Sequence, residues 1–178
     1  MDRKAEEFNM EQQKHALLSW LKKELKNKDF SLTELSGDAS FRKYYRIHTN
    51  DGSLVLMDSH KEIDSLKAFL NVQAILKTAK INVPTCVASD TSHGFAILSD
   101  FGDDLLLNCL NSIDIAKNYE QLIDIIINLQ TISAAEYKTL PHFDEAYMLH
   151  ELSLFNDWYL EKLLKIKLTR NESQLIKD

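Results

Sequence analysis

Two alternating stretches on either side of a tight-turn signature constrain residues 41–58 to an antiparallel β-hairpin. Phe41, Lys43, Tyr45 and Ile47 alternate with Arg42, Tyr44, Arg46 and His48, the period of a strand with two different faces. Asn50-Asp51-Gly52 supplies the turn, because Asp-Gly tolerates the positive φ that a tight hairpin needs. Leu54-Val55-Leu56-Met57 then returns as a more buried strand. Ahead of the hairpin lies a small-residue loop, Ser36-Gly37-Asp38-Ala39-Ser40, followed at once by Arg42, Lys43 and Arg46. Backbone N–H groups beside guanidinium and ammonium groups are what a phosphate tail requires. An ordinary hairpin with a solvated basic face has the same spacing, so the rest of the chain must decide.

Composition narrows the choice. The chain has 178 residues, enough for one domain with a good core or for two small lobes. Its net charge of −6 argues against general nucleic-acid binding. The basic cluster at 42–46 therefore points to a small anionic ligand rather than a polyanion. No run approaches the roughly 18 consecutive apolar residues of a membrane span. The N-terminus mixes charges of both signs without an apolar signal region, and Cys86 and Cys109 make no metal pattern. A cytoplasmic protein is the expectation.

The four glycines, at 37, 52, 94 and 102, all fall in the first part. The chain reads as turn-rich up to Gly102 and helical beyond it. Leu17, Leu18, Leu21 and Leu25 mark an amphipathic helix over 11–25, after a frayed start, and residues 30–35 form a short strand. Ile63, Leu66, Phe69, Leu70 and Ile75 recur at helical spacing up to about 78. Residues 83–88 are extended around Pro84, and Phe95-Ala96-Ile97-Leu98 is a strong apolar strand ending at Ser99-Asp100-Phe101-Gly102. A helix from near 111 should bury Ile115, Tyr119, Leu122, Ile123, Ile126 and Leu129. Another, opened near Asp144, carries Met148, Leu152, Phe155, Tyr159 and Leu163 in one stripe. Thr169 or Asn171 caps a last helix start.

This order resembles the nucleotide-binding lobe of protein-kinase-like phosphotransferases, and within them the aminoglycoside-phosphotransferase-like family. More narrowly it is similar to the bacterial cell-wall amino-sugar kinases that phosphorylate N-acetylmuramate and N-acetylglucosamine at the anomeric hydroxyl. The run from Gly37 to Arg46 and its Leu54-Val55-Leu56-Met57-Asp58 partner strand carry the resemblance. So do Val83-Pro84, the stretch from Gly94 to Asp103, and Glu151-Leu152-Ser153-Leu154-Phe155-Asn156-Asp157-Trp158-Tyr159-Leu160. The fold implied is α+β: a kinase-like small lobe, an antiparallel sheet plus a helix, followed by the first helices of an α-helical large lobe. Residues 1–27 would be an N-terminal helix, 28–102 the nucleotide-binding small lobe and hinge, and 103–178 an incomplete large lobe.

The resemblance implies ATP and Mg²⁺ as cofactors and an amino sugar as substrate. Gly37, Asp38, Ala39 and Ser40 would cover the nucleotide phosphates, and Ser99, Asp100, Phe101 and Gly102 would pair with the adenine edge. Where such proteins place a lysine on the returning strand, this chain has Met57 and Asp58, so a different cation is required. Arg42 and Arg46 share a face and are the expected pair, with Lys43 on the other face. No segment resembles the family's catalytic loop, so catalytic and metal residues are expected beyond Asp178 and the isolated chain is expected to be inactive. Its partner would be the missing C-terminal half of the large lobe. Other readings are a catalytically inactive, truncated kinase-like binding module, a kinase of another small hydroxyl substrate such as an aminoglycoside or choline, and an α/β adaptor whose hairpin binds some other anion.

Overall fold

The computed structural model describes residues 3–35, 41–109 and 114–175. Strands β1 (Phe30–Leu35), β2 (Lys43–Thr49), β3 (Gly52–Asp58), β4 (Cys86–Asp90) and β5 (Phe95–Ser99) form one antiparallel sheet in the order β1-β2-β3-β5-β4. The β2–β3 hairpin closes on Asn50 and Asp51, with Thr49 paired to Gly52. The positive φ lies at Gly52, +131°, and not at Asp51. Thr49 steadies the turn, its hydroxyl accepting from Asp51 N–H at 3.2 Å and donating to Gly52 O at 2.9 Å.

Alternation along the strands sorts the core into two layers. Leu56 and Ile97 point to one face, where Leu17, Leu21 and Leu25 of α1 (Arg3–Glu24) and its following turn meet Ile47 and Phe95. Their neighbours Met57, Ala96 and Leu98 point to the other face, against Leu66 of α2 (Ile63–Thr78), with Val55, Phe69 and Leu70 alongside. The sheet is thus the middle layer between two helices. Each large apolar side chain buried there contributes about 2 kcal/mol. Helix α1 begins at Arg3, well before the expected 11, because residues 3–10 are mostly good helix formers. Gln73 of α2 donates to Pro84 O, tying the helix to the extended segment before β4.

Beyond the sheet come α3 (Leu106–Cys109), α4 (Ile115–Gln130) and α5 (Ala134–Tyr137). Asp114 caps α4, its carboxylate accepting from Lys117 N–H at 3.2 Å. The expected start near 111 falls outside the described residues. The expected burial of α4 is corrected by the structure. Ile115, Tyr119, Ile123 and Ile126 are about half exposed, at 48%, 56%, 54% and 53%, and no residue of α4 is buried. Its apolar stripe is present but stays partly exposed along its length.

The chain divides into two compact units, residues 1–136 and 137–178. In the second, Asp144 caps α6 (Glu145–Leu154), accepting from Tyr147 N–H at 2.9 Å. The helix continues as a π-helical turn over Phe155–Leu163, and α7 (Arg170–Leu175) ends the described chain. Thr169 and Glu172 form a reciprocal cap for α7: Thr169 N–H donates to the Glu172 carboxylate at 2.8 Å, and Glu172 N–H to the Thr169 hydroxyl at 3.3 Å. Among the described residues no helix is long and apolar enough to cross a membrane.

Candidate functional site

Strand order brings the basic strand and the segment after β5 together. Arg46 pairs in register with Val55 of β3, and Leu54 with Ser99 of β5, so one strand separates Arg46 from the end of β5. The guanidinium spans that strand. Its Nε donates to Asp100 Oδ2 at 2.7 Å and one terminal nitrogen to Asp100 Oδ1 at 3.2 Å. The same nitrogen reaches Asp103 Oδ1 at 2.9 Å, and the other reaches Asp103 Oδ2 at 2.7 Å. Both carboxylates are therefore gripped as forks, the strong geometry for an arginine. The guanidinium, with help from the Gly102 N–H, holds the Asp100 carboxyl down at about 2. Asp103 is lowered by the same guanidinium, and Arg46 is raised by both carboxylates.

That grip shapes the expected hinge. Ser99 is fixed to the segment before β4: its N–H donates to Thr85 O at 2.8 Å and its hydroxyl accepts from Thr85 N–H at 2.8 Å. Gly102, at φ +78°, donates its N–H to Asp100 Oδ1 at 2.9 Å. Between them, Phe101 is exposed, and its backbone groups have no hydrogen-bond partner among the described residues. This is an open main-chain edge held at both ends, able to pair with a planar heterocycle.

The other expected site residues separate. Arg42 turns to α2, with Nε and a terminal nitrogen donating to the hydroxyl and carbonyl of Ser65, both at 3.2 Å, while its guanidinium lies 5.9 Å from the Phe69 ring centre. The arginine pair thus shares a sheet face but not a location. Lys43, on the opposite face, borders a cavity of about 400 Å³ with Tyr45, Asp58, His60 and Lys61. Gly37, Asp38, Ala39 and Ser40 lie outside the described residues.

Where a strand lysine would be sought, Met57 is fully buried. Asp58 is buried too, its carboxylate accepting from the His60 backbone at 3.1 Å and lying 2.7 Å from His60 Nδ1. Asp64 is solvated and pairs with Lys67 at 2.8 Å, which lowers its carboxyl. No three His, Cys, Asp or Glu side chains among the described residues are grouped to hold a metal. The sequence sets Asp100, Asp103 and Asp104 close together, but nothing in it ties the first two to Arg46. Only the strand order, with β5 next to β3, makes that tie visible.

Several curated proteins are similar to this chain. An N-acetylmuramate/N-acetylglucosamine kinase of Pseudomonas aeruginosa is 37% identical over 137 residues, covering 77% of this chain and 40% of that protein. One of Neisseria meningitidis is 33% identical over 164 residues, covering 89% and 48%. One of Pseudomonas putida is 31% identical over 139 residues, covering 78% and 40%. The chain thus spans less than half the length of these relatives and matches their N-terminal portion. No solved structure matches it significantly. Residues 31–176, most of the chain, fit one family profile, and the chain belongs to the phosphotransferase enzyme family.

Proposed function

We propose that this chain is the nucleotide-binding part of an ATP-dependent sugar kinase that acts on an amino sugar in cell-wall recycling. The observation carrying the reading is the open backbone edge at Phe101, held between Ser99 and Gly102 at the end of the sheet in a chain of this family. The names of the relatives support the amino-sugar class. Residues 28–102 serve as the small lobe and hinge, and 103–178 begin the large lobe.

ATP, when bound, supplies the phosphoryl group; this chain's residues bind and orient it. The backbone of Asp100, Phe101 and Gly102 pairs with the adenine edge. Gly37, Asp38, Ala39 and Ser40 cover the phosphates with main-chain N–H groups, and Arg42 is the nearest cation to that loop in sequence. Among the described residues no three His, Cys, Asp or Glu side chains are grouped to hold Mg²⁺ by themselves. Positioning and charge neutralisation are the contributions a small lobe makes to phosphoryl transfer.

The half-exposed stripe of α4 favours a covering partner. We take that partner to be the part of the large lobe by which the relatives exceed this chain. On this reading the 178-residue chain binds nucleotide weakly and transfers no phosphoryl group. The test is calorimetric titration with ATP, then transfer assays with N-acetylmuramate and N-acetylglucosamine on the chain alone and on a version extended to the relatives' length. Binding by both and transfer only by the longer protein is expected. Absence of ATP binding by either overturns the reading, and robust transfer by the short chain overturns its assignment as a partial enzyme.

A further inference from the structure

We infer that Arg46 is a positioning residue for the nucleobase: it latches the 100–103 segment to β2, and so sets the backbone edge at Phe101, instead of contacting phosphate. This rests on the nucleotide-binding reading above. The alternative, an arginine facing the triphosphate, is the natural one from sequence, because Arg46 follows a small-residue loop on a basic strand.

Three observations favour the latch. First, four of the five N–H donors are already used. Nε and both terminal nitrogens make four hydrogen bonds of 2.7–3.2 Å to Asp100 and Asp103. Second, the charge has the wrong sign for a phosphate site. One guanidinium between two carboxylates leaves a net negative cluster, which repels a polyphosphate. Third, the grip is transmitted to the edge. Asp100, with only 5% of its side chain exposed, accepts from Arg46 and also from Gly102 N–H, so the carboxylate that Arg46 orients in turn orients the backbone on the far side of Phe101. Gly102 sits there at φ +78°, a conformation that other residues resist. Ser99, at the near side, is fixed independently through Thr85.

A planar fork is needed for this task. Lysine keeps the charge but offers a point donor that cannot hold two carboxylates in one plane. Arg46→Lys therefore tests geometry at constant charge, and Asp103→Asn removes one carboxylate's charge while leaving Asp100 in place.

Adenosine, inorganic tripolyphosphate and ATP would be titrated into the wild-type chain, Arg46→Lys and Asp103→Asn, all well below their melting temperatures. Arg46→Lys should weaken adenosine and ATP about tenfold, while tripolyphosphate stays within about twofold. Asp103→Asn should weaken adenosine less than Arg46→Lys does. Loss of tripolyphosphate affinity in Arg46→Lys, with adenosine unchanged, makes Arg46 a phosphate ligand and overturns the latch. Unchanged affinities for all three ligands reduce the pair to a structural ion pair and overturn it equally. A wild-type chain that binds neither adenosine nor ATP instead defeats the nucleotide reading itself, a result visible before any variant is compared.

Discussion

Gly94 lies against the backbone of Ser59 so closely that a side chain at 94 has no room: a Cβ there would stand 2.8 Å from the Ser59 carbonyl carbon and 2.9 Å from its oxygen. Ser59 N–H donates to Gly94 O at 2.7 Å, so the two backbones are clasped where β3 ends and β5 begins. Gly94 also holds φ +81°. Gly94→Ala therefore meets a backbone clash and a strained dihedral together, and should cost about 2–3 kcal/mol. Gly102→Ala meets only the dihedral, with nothing within 4 Å of its Cβ, and should cost about 1 kcal/mol. Urea denaturation of both variants checks the ranking; equal losses would show that the clasp relaxes freely.

Acid should unfold the chain through its depressed carboxylates. Asp100 is held at about 2 chiefly by Arg46, and Asp90 at about 2 chiefly by the Ser92 hydroxyl, with His93 beside it. Both lie below the ordinary carboxylate value of 3.8. A lowered folded-state pKa means that the unfolded chain takes up protons first. The stabilisation is thus fully present above about pH 4 and is lost as pH falls toward about 2. Denaturant melts at pH 5, 4, 3 and 2 should show a falling midpoint, and Asp100→Asn should flatten part of that fall. An identical slope in the variant would assign the acid sensitivity to other groups.

Much of the fold was readable because its signals are local. Alternation at 41–48, helical spacing from Ile63 to Ile75, and the apolar run from Phe95 to Leu98 each placed an element within a residue or two. The α4 stripe was equally readable as a pattern, but a pattern says which face wants burial and not whether a partner is present. A contrast follows. Ile126→Ser on the exposed stripe should change stability by less than about 0.5 kcal/mol, whereas Leu56→Ala, fully buried between α1 and the sheet, should cost about 2–5 kcal/mol. A large loss from Ile126→Ser in ultracentrifugally monomeric protein would mean that α4 is already packed. The candidate site was less legible, because Arg46 and Asp100 are 54 residues apart and meet only through a strand order with β5 inserted beside β3.

Met57 bears on how this chain departs from the lysine-bearing strand of the kinases it resembles. Its side chain is fully buried, in the same cluster as Leu66, Ala96 and Leu98. A lysine there would lose its hydration inside an apolar cluster, and the neighbouring Asp58 carboxylate is already engaged by His60. Met57→Lys should accordingly cost more than about 3 kcal/mol, and it should not strengthen ATP binding in whatever fraction stays folded. Met57→Leu, which keeps the apolar volume, should cost less than about 1.5 kcal/mol. Urea melts with a parallel ATP titration separate the cases. A stable Met57→Lys chain with tighter ATP binding would mean that position 57 opens toward the phosphates, so that the strand retains the ordinary kinase geometry with only its cation replaced.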